Sequence, residues 1–142
     1  MIIQCIVNSF REQMLKGQHD LLTDTLKIAL YTGYATLGPE TTVYTTDNEA
    51  TGTGYTAGGV VLTGATINIA TQTLYDPATV YVNFDNAVFN AATTARAALI
   101  YNHSKSDKAI AVLDFGSDKT STATFTVQMP ANTSTAALLR FP

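Results

Sequence analysis

A chain of 142 residues with one cysteine and a net charge of −3 is sized for a single domain over residues 1–142, with a core large enough to need no disulfide staples. Only 13% of the residues are charged, against about 25% in ordinary soluble domains. The few lysines and arginines are dispersed, so the clustered positive charge that phosphate backbones require is missing and no nucleic-acid partner is expected. No apolar run approaches the length of a membrane span, and residues 1–7 are too short and lack the basic lead of a secretory signal. The chain therefore reads as made in a cytosol and kept soluble, with no membrane partner. Its polar surface has to come from neutral groups, above all threonine, at roughly one residue in six, and seven tyrosines accompany them. A charge-poor, hydroxyl-rich and tyrosine-bearing surface suits a face that is partly covered in use, and equally a solvated β-rich surface.

Residues 1–7 are apolar except for Gln4 and would be a liability if left loose in water. The favoured expectation is a strand added to a sheet edge, the alternative an arm packed on another subunit. Cys5 within this run reads as a small buried hydrophobe rather than a nucleophile. Ser9-Phe10-Arg11-Glu12 spells the capping-box pattern, which predicts a short helix from Phe10 to about Lys16, packed through Phe10, Met14 and Leu15 and stopped by Gly17. Residues 25–32 alternate Leu26, Ile28 and Leu30 against Lys27, Ala29 and Tyr31, the pattern of a half-buried strand. Residues 42–46 form a short extended piece, and residues 47–53 read as loop.

The run Gly52-Thr53-Gly54-Tyr55-Thr56-Ala57-Gly58-Gly59 has neither the preceding strand nor the following helix of a phosphate cradle. It reads instead as a loop entering a strand at residues 60–62, its glycines taking positive φ and Tyr55 anchoring the turn on a sheet. Strands are then predicted at residues 65–70, 79–84 and 87–89, separated by turns at Asp76-Pro77 and Asp85-Asn86. The clearest architecture follows: apolar arms at residues 95–101 and 109–115, joined by a polar connection at 102–108, predict an antiparallel hairpin covered on both faces. Residues 116–119 read as loop. Residues 122–129 alternate strictly, with Ala123, Phe125, Val127 and Met129 inward, and residues 136–141 make a last strand with Leu138 or Leu139 inward. This many short strands with regular turn signals predict an all-β fold, a β-sandwich or jelly roll with one short N-terminal helix.

Three constellations invite a chemical reading. His19, Asp20 and Asp24 fall short of a metal site in number and spacing, and the only other histidine, His103, is in the distant hairpin loop. Asp114-Phe115-Gly116 matches the letters of the kinase metal-binding triplet without room for the rest of that machinery, and reads as a strand end. His103, Ser104 and Asp107 crowd one short loop, too near in sequence for relay geometry. The glycosylation triplets at Asn102 and Asn132 carry no meaning without a secretory signal. No catalytic, metal or cofactor residues are expected, and the chain reads as a non-enzyme.

The order Ser9-Phe10, Leu15-Lys16-Gly17, His19-Asp20, Asp24-Thr25-Leu26-Lys27-Ile28-Ala29-Leu30-Tyr31, the glycine run at 52–59, Ala95-Arg96 and Ile100-Tyr101 resembles a family of small β-rich virion structural proteins of tailed bacteriophages, over residues 9–115. The resemblance implies assembly rather than catalysis. It leads to the expectation of a capsid decoration or cement protein on the virion exterior, synthesised in the host cytoplasm, that stabilises the major capsid protein lattice and self-associates as a trimer. The alternatives are a neck or tail component, or a receptor- or carbohydrate-binding module using Tyr31, Tyr34, Tyr55 and Tyr81 as stacking faces. The residues expected to contact a partner are Ile2, Ile3, Ile6, Val7, Tyr34 and Tyr55.

Overall fold

The computed structural model describes residues 1–74 and 78–142; the Asp76-Pro77 turn lies outside them. In chain order the elements are β1 (Cys5–Ile6), α1 (Asn8–Leu15), β2 (Leu26–Tyr31), β3 (Gly52–Thr53), β4 (Val60–Val61), β5 (Thr66–Ala70), β6 (Thr79–Asn83), β7 (Ala87–Phe89), β8 (Ala92–Asn102), β9 (Lys108–Thr120), β10 (Phe125–Val127) and β11 (Leu139–Phe141). The fold is all-β with one short helix, as the strand and turn spacing implied. The principal sheet runs β1-β9-β8-β2-β4, with β3 pairing the start of β8, and two smaller sheets run β10-β7 and β11-β6-β5. Every named strand pair is antiparallel.

The β8–β9 hairpin is the axis of the principal sheet. Ala95 and residues 97–102 of β8 are buried, and residues 109–112 of β9 are buried opposite them. Cover on both faces is what consecutive apolar positions imply. The expected loop at 116–119 is instead part of β9. Ala97 pairs with Asp114 but Ala95 with Lys119, so residues 115–118 are accommodated as a bulge opposite Arg96. Beyond that bulge the β9 arm is exposed from residue 116 to 120, while Thr93 and Ala95 of β8 remain buried.

Around this axis several local expectations shift. β2 is buried on both faces apart from Lys27, not half-buried: Tyr31 is buried too, and its hydroxyl donates to the Thr45 carbonyl (2.6 Å) of the segment that follows. The helix begins two residues earlier than the capping box predicted, and no side chain caps it. The loop at 39–41 takes over that role: Asn8 N–H donates to the Pro39 carbonyl (2.9 Å) and Ser9 Oγ to the Thr41 carbonyl (3.5 Å), while Glu12 pairs with Lys16. Of its apolar residues Phe10 alone is fully buried, and Leu15 is 91% exposed. Gly17 does end the helix with φ +68°.

The strand at 122–129 contracts to β10, where Phe125 and Val127 face inward; Met129 beyond its end is also buried, and Ala123 before it is exposed. The last strand contracts to β11, with Leu139 inward. The glycine run is the loop-to-strand entry the sequence suggested. Gly59 sits at φ +76°, where a Cβ would lie 1.8 Å from the Ile28 carbonyl oxygen, so only a residue without a side chain lets β4 close on β2.

Two substitutions test this account. Leu99→Ala, at a fully buried position of β8, is expected to lower unfolding free energy by about 2–5 kcal/mol in urea titrations. Gly59→Ala is expected to cost at least about 2 kcal/mol by the same measurement; an unchanged midpoint would show that β4 does not need the close approach.

Candidate interaction surface and its buried supports

The densest polar cluster centres on Glu49, in the stretch 47–53 that the sequence reads as loop. Glu49 is buried and bridges the end of β2 at Tyr31. Its carboxylate accepts from Tyr44 Oη (2.7 Å), Tyr55 Oη (2.8 Å) and the Gly58 amide (2.8 Å). Tyr55 Oη accepts in turn from the Leu30 amide (2.9 Å), and Tyr101 Oη donates to the Gly58 carbonyl (2.6 Å). Tyr44 and Tyr101 stack with centroids 4.6 Å apart, and Tyr55 stacks on Phe89 at 5.9 Å. One carboxylate thus gathers Tyr44, Tyr55 and Gly58 using neutral donors only, the kind of saturation a buried charge requires, and the Tyr55 and Tyr101 hydroxyls carry the link on to β2 and β8. Tyr101 is pushed up to about 12, and Tyr31, Tyr44 and Tyr55 higher still, first by burial and, for all four, also by the Glu49 charge. The phenols stay protonated across neutral pH, so the cluster holds the loop and has no proton to exchange there.

A second network joins the helix to the far end of β8. His19 and Asp24 do converge, but on an amide: Asn102 Nδ2 donates to His19 Nδ1 (2.9 Å) and to Asp24 Oδ2 (2.8 Å). The reversed amide would set oxygen against carboxylate, which fixes the orientation even though Asn102 Oδ1 has no partner among the described residues. His19 Nδ1 is therefore the acceptor, and Nε2–H donates to Gln13 Oε1 (2.8 Å). Burial, then Lys108, lowers the His19 pKa, with Asp24 opposing. At Asp24 burial is the largest influence and opposes ionisation. Hydrogen bonds from the Asp20 amide and Asn102, with Lys105 and His19, outweigh it and leave the pKa lowered.

The remaining chemical candidates serve local structure. Ser104 Oγ accepts from the Thr25 amide (2.8 Å), while His103 Nδ1 meets Asp107 Oδ1 (2.7 Å) on the exposed hairpin tip. Asp114 accepts from the Gly116 amide (2.9 Å) and Arg96 Nε (3.1 Å), which together lower its pKa, and so stabilises the bulge. Among the described residues no three His, Cys, Asp or Glu side chains converge on one point, and no helix is long and apolar enough to cross a membrane.

The six residues expected to contact a partner are divided by the fold. Val7 is fully buried and its amide donates to the Ile110 carbonyl (3.0 Å). Ile6 is half-buried in β1, paired with Ala111. Tyr55 is committed to Glu49 and Leu30. Ile2, half-buried, forms a parallel bridge to Leu37, and the terminal amine donates to the Ala35 carbonyl (3.2 Å). That pairing places Met1 and Ile3 alongside the segment that follows Tyr34. Ile3 is partly exposed, and Met1 and Tyr34 are 81% and 88% exposed. The first residues are thus an edge strand laid on their own chain, as favoured, and Ile3 and Tyr34 are the two of the six left turned to solvent.

On the other side of β1 an open cleft of about 860 Å³ separates β1 and β9 from the C-terminal segment that includes β11. Cys5 lines it, half-buried, its thiol pKa raised by burial against the opposing effect of Arg11. Comparisons of the chain with protein-family models, with curated proteins and with solved structures give no match.

Two titrations follow from the networks. The four tyrosines keep protons above pH 10 that the unfolded chain releases, so the folded state binds more protons there and stability falls as pH rises from 10 towards 12. The phenolate absorbance of the native chain should lag that of the urea-unfolded chain, and Glu49→Ala should cost on the order of 3 kcal/mol or more by stranding three donors. For His19 the sign is opposite. Its folded pKa is below 6.5, so its contribution is intact above that pH and lost as pH falls through the folded value. NMR titration should find the His19 midpoint below that of the unfolded chain; an equal or higher midpoint contradicts the tautomer assigned.

Proposed function

We propose that this chain is a structural protein of a tailed-bacteriophage virion, of the decoration or cement type, seated on the outer face of the major capsid protein lattice. The observation that carries the reading is the margin where Met1, Ile3 and Tyr34 stand exposed on backbone that is itself fixed by the Ile2–Leu37 bridge and the Ile3-to-Leu37 hydrogen bond (2.9 Å). Apolar and aromatic side chains held on an ordered edge, on a chain with few charges, suit an interface core. The choice of partner rests on the resemblance that residues 9–115 bear to small virion proteins. The mechanism is linkage: a protein that binds only the assembled shell stabilises it by mass action, and many modest contacts add up over the lattice.

Since Val7 is buried, removing residues 1–7 would damage the fold, and point changes at the margin are the cleaner probe. Ile3→Ser and Tyr34→Asp are expected to shift stability by no more than about 0.5–1 kcal/mol and to lower occupancy on purified shells at least about tenfold. Undiminished occupancy would remove the margin from the docking surface. A count of this chain per particle by mass spectrometry should give on the order of hundreds; about six or twelve copies would place it on the tail axis instead.

A further inference from the structure

We propose that β5 is a self-pairing edge, through which two copies of this chain join antiparallel about a two-fold axis at Asn68 and merge their three-stranded sheets into one of six strands. β5 is the end strand of its sheet, hydrogen-bonded only to β6 among the described strands. Such an edge presents unpaired backbone donors and acceptors, which proteins usually guard with charge, proline or a cover. This one carries no charge or proline. From Ala50 to Leu74 the chain has no charged residue and no proline at all, and β6, which backs the strand, has none either.

The sequence of β5, Thr66-Ile67-Asn68-Ile69-Ala70, is close to symmetric about its centre. An antiparallel pair centred on Asn68 sets Ile67 against the second copy's Ile69, Thr66 against its Ala70 and Asn68 against itself. Residues opposite each other in such a pair share a face. The isoleucines of both copies therefore fall on one side, continuing the row that Val80 and Val82 of β6 and Leu139 and Phe141 of β11 already form by register. At the inner end of that row Val82 and Leu139 are buried; at the outer end Ile69 is 77% exposed and Ile67 and Val80 are also exposed. Only this register overlaps all five residues while keeping the apolar face continuous, because a slip of one residue would set isoleucine against the polar side.

Charge supplies the remaining argument. A two-fold axis sets each group near its own copy, so like charges on the strand would repel; an uncharged strand is the kind that can meet itself. The partner is thus a second copy, with the cross-strand isoleucine pairs as its specific contact. This pairing does not depend on the capsid reading, and its two-fold symmetry differs from the trimer that the resemblance implied.

The test uses the full chain in free solution. Sedimentation velocity over a hundredfold concentration range should show the 15.1 kDa monomer converting to a species of twice that mass. Ile69→Lys, at an exposed position, should keep the melting temperature that the native chain shows at dilutions where it is monomeric, and remain monomeric throughout. In a Cys5→Ala background, Asn68→Cys should form an intermolecular disulfide under mild oxidation, since its Cα faces its own copy at a distance a disulfide can span. Gln72→Cys, which in this register would face Gly64, should not. A chain that stays monomeric, one that forms trimers, a dimer that survives Ile69→Lys, or equal cross-linking at both cysteines would each overturn the proposal. Shell occupancy of Ile3→Ser and Tyr34→Asp reports on the capsid reading separately.

Discussion

A strand with both faces away from water has to be covered twice, and β8 imposes that requirement on the whole chain. Its residues from 97 to 102 are buried without interruption. The alternation that lets a surface strand keep one polar face is therefore not available to it. β9 and β2 supply its two lateral neighbours, and the rest of the principal sheet is placed from theirs: β1 sits outside β9, β4 outside β2, and β3 on the short stretch of β8 that β2 does not reach. The alanines at 95, 97 and 98 admit close packing where larger side chains would hold the layers apart.

The same constraint explains why a carboxylate is tolerated inside. The segment from 44 to 58 must pass over the buried end of β2 and return without a helix or a long strand of its own. Its backbone polar groups need partners in a place water does not reach. Glu49 offers two oxygens that take two phenols and one amide, and the phenols in turn serve Leu30 and carry aromatic area into the core. At the opposite end Asn102 performs a related task, joining the loop after α1 to the hairpin through His19 and Asp24. Both networks grip a loop that has little regular structure.

How much of this could be read from residues alone depended on range. The hairpin was legible because its arms are apolar at consecutive positions and its connection is polar. The glycine run was legible because it preceded a β-branched stretch. β2 looked half-exposed because Lys27 and Tyr31 counted as polar, although Tyr31 buries its ring and sends only its hydroxyl to a carbonyl. The helix start was misplaced because the groups that satisfy its first turn come from residues 39–41, about thirty positions on. Glu49 and the pairing of His19 with Asn102, 83 residues apart, left no local trace; at most, the position of Glu49 between Tyr44 and Tyr55 was a hint. Of the proposed contact residues, hydrophobicity alone could not separate Val7, which completes the core, from Ile3, which does not.

The pairing of β1 with β9 also sets the order in which the molecule can be completed. Cys5 and Ile6 meet Val112 and Ala111, so β1, which leaves the ribosome long before β9, has no seat until most of the chain has followed it. Throughout synthesis that apolar leader has to wait, and the closing of so long a loop is paid for in entropy before any contact rewards it.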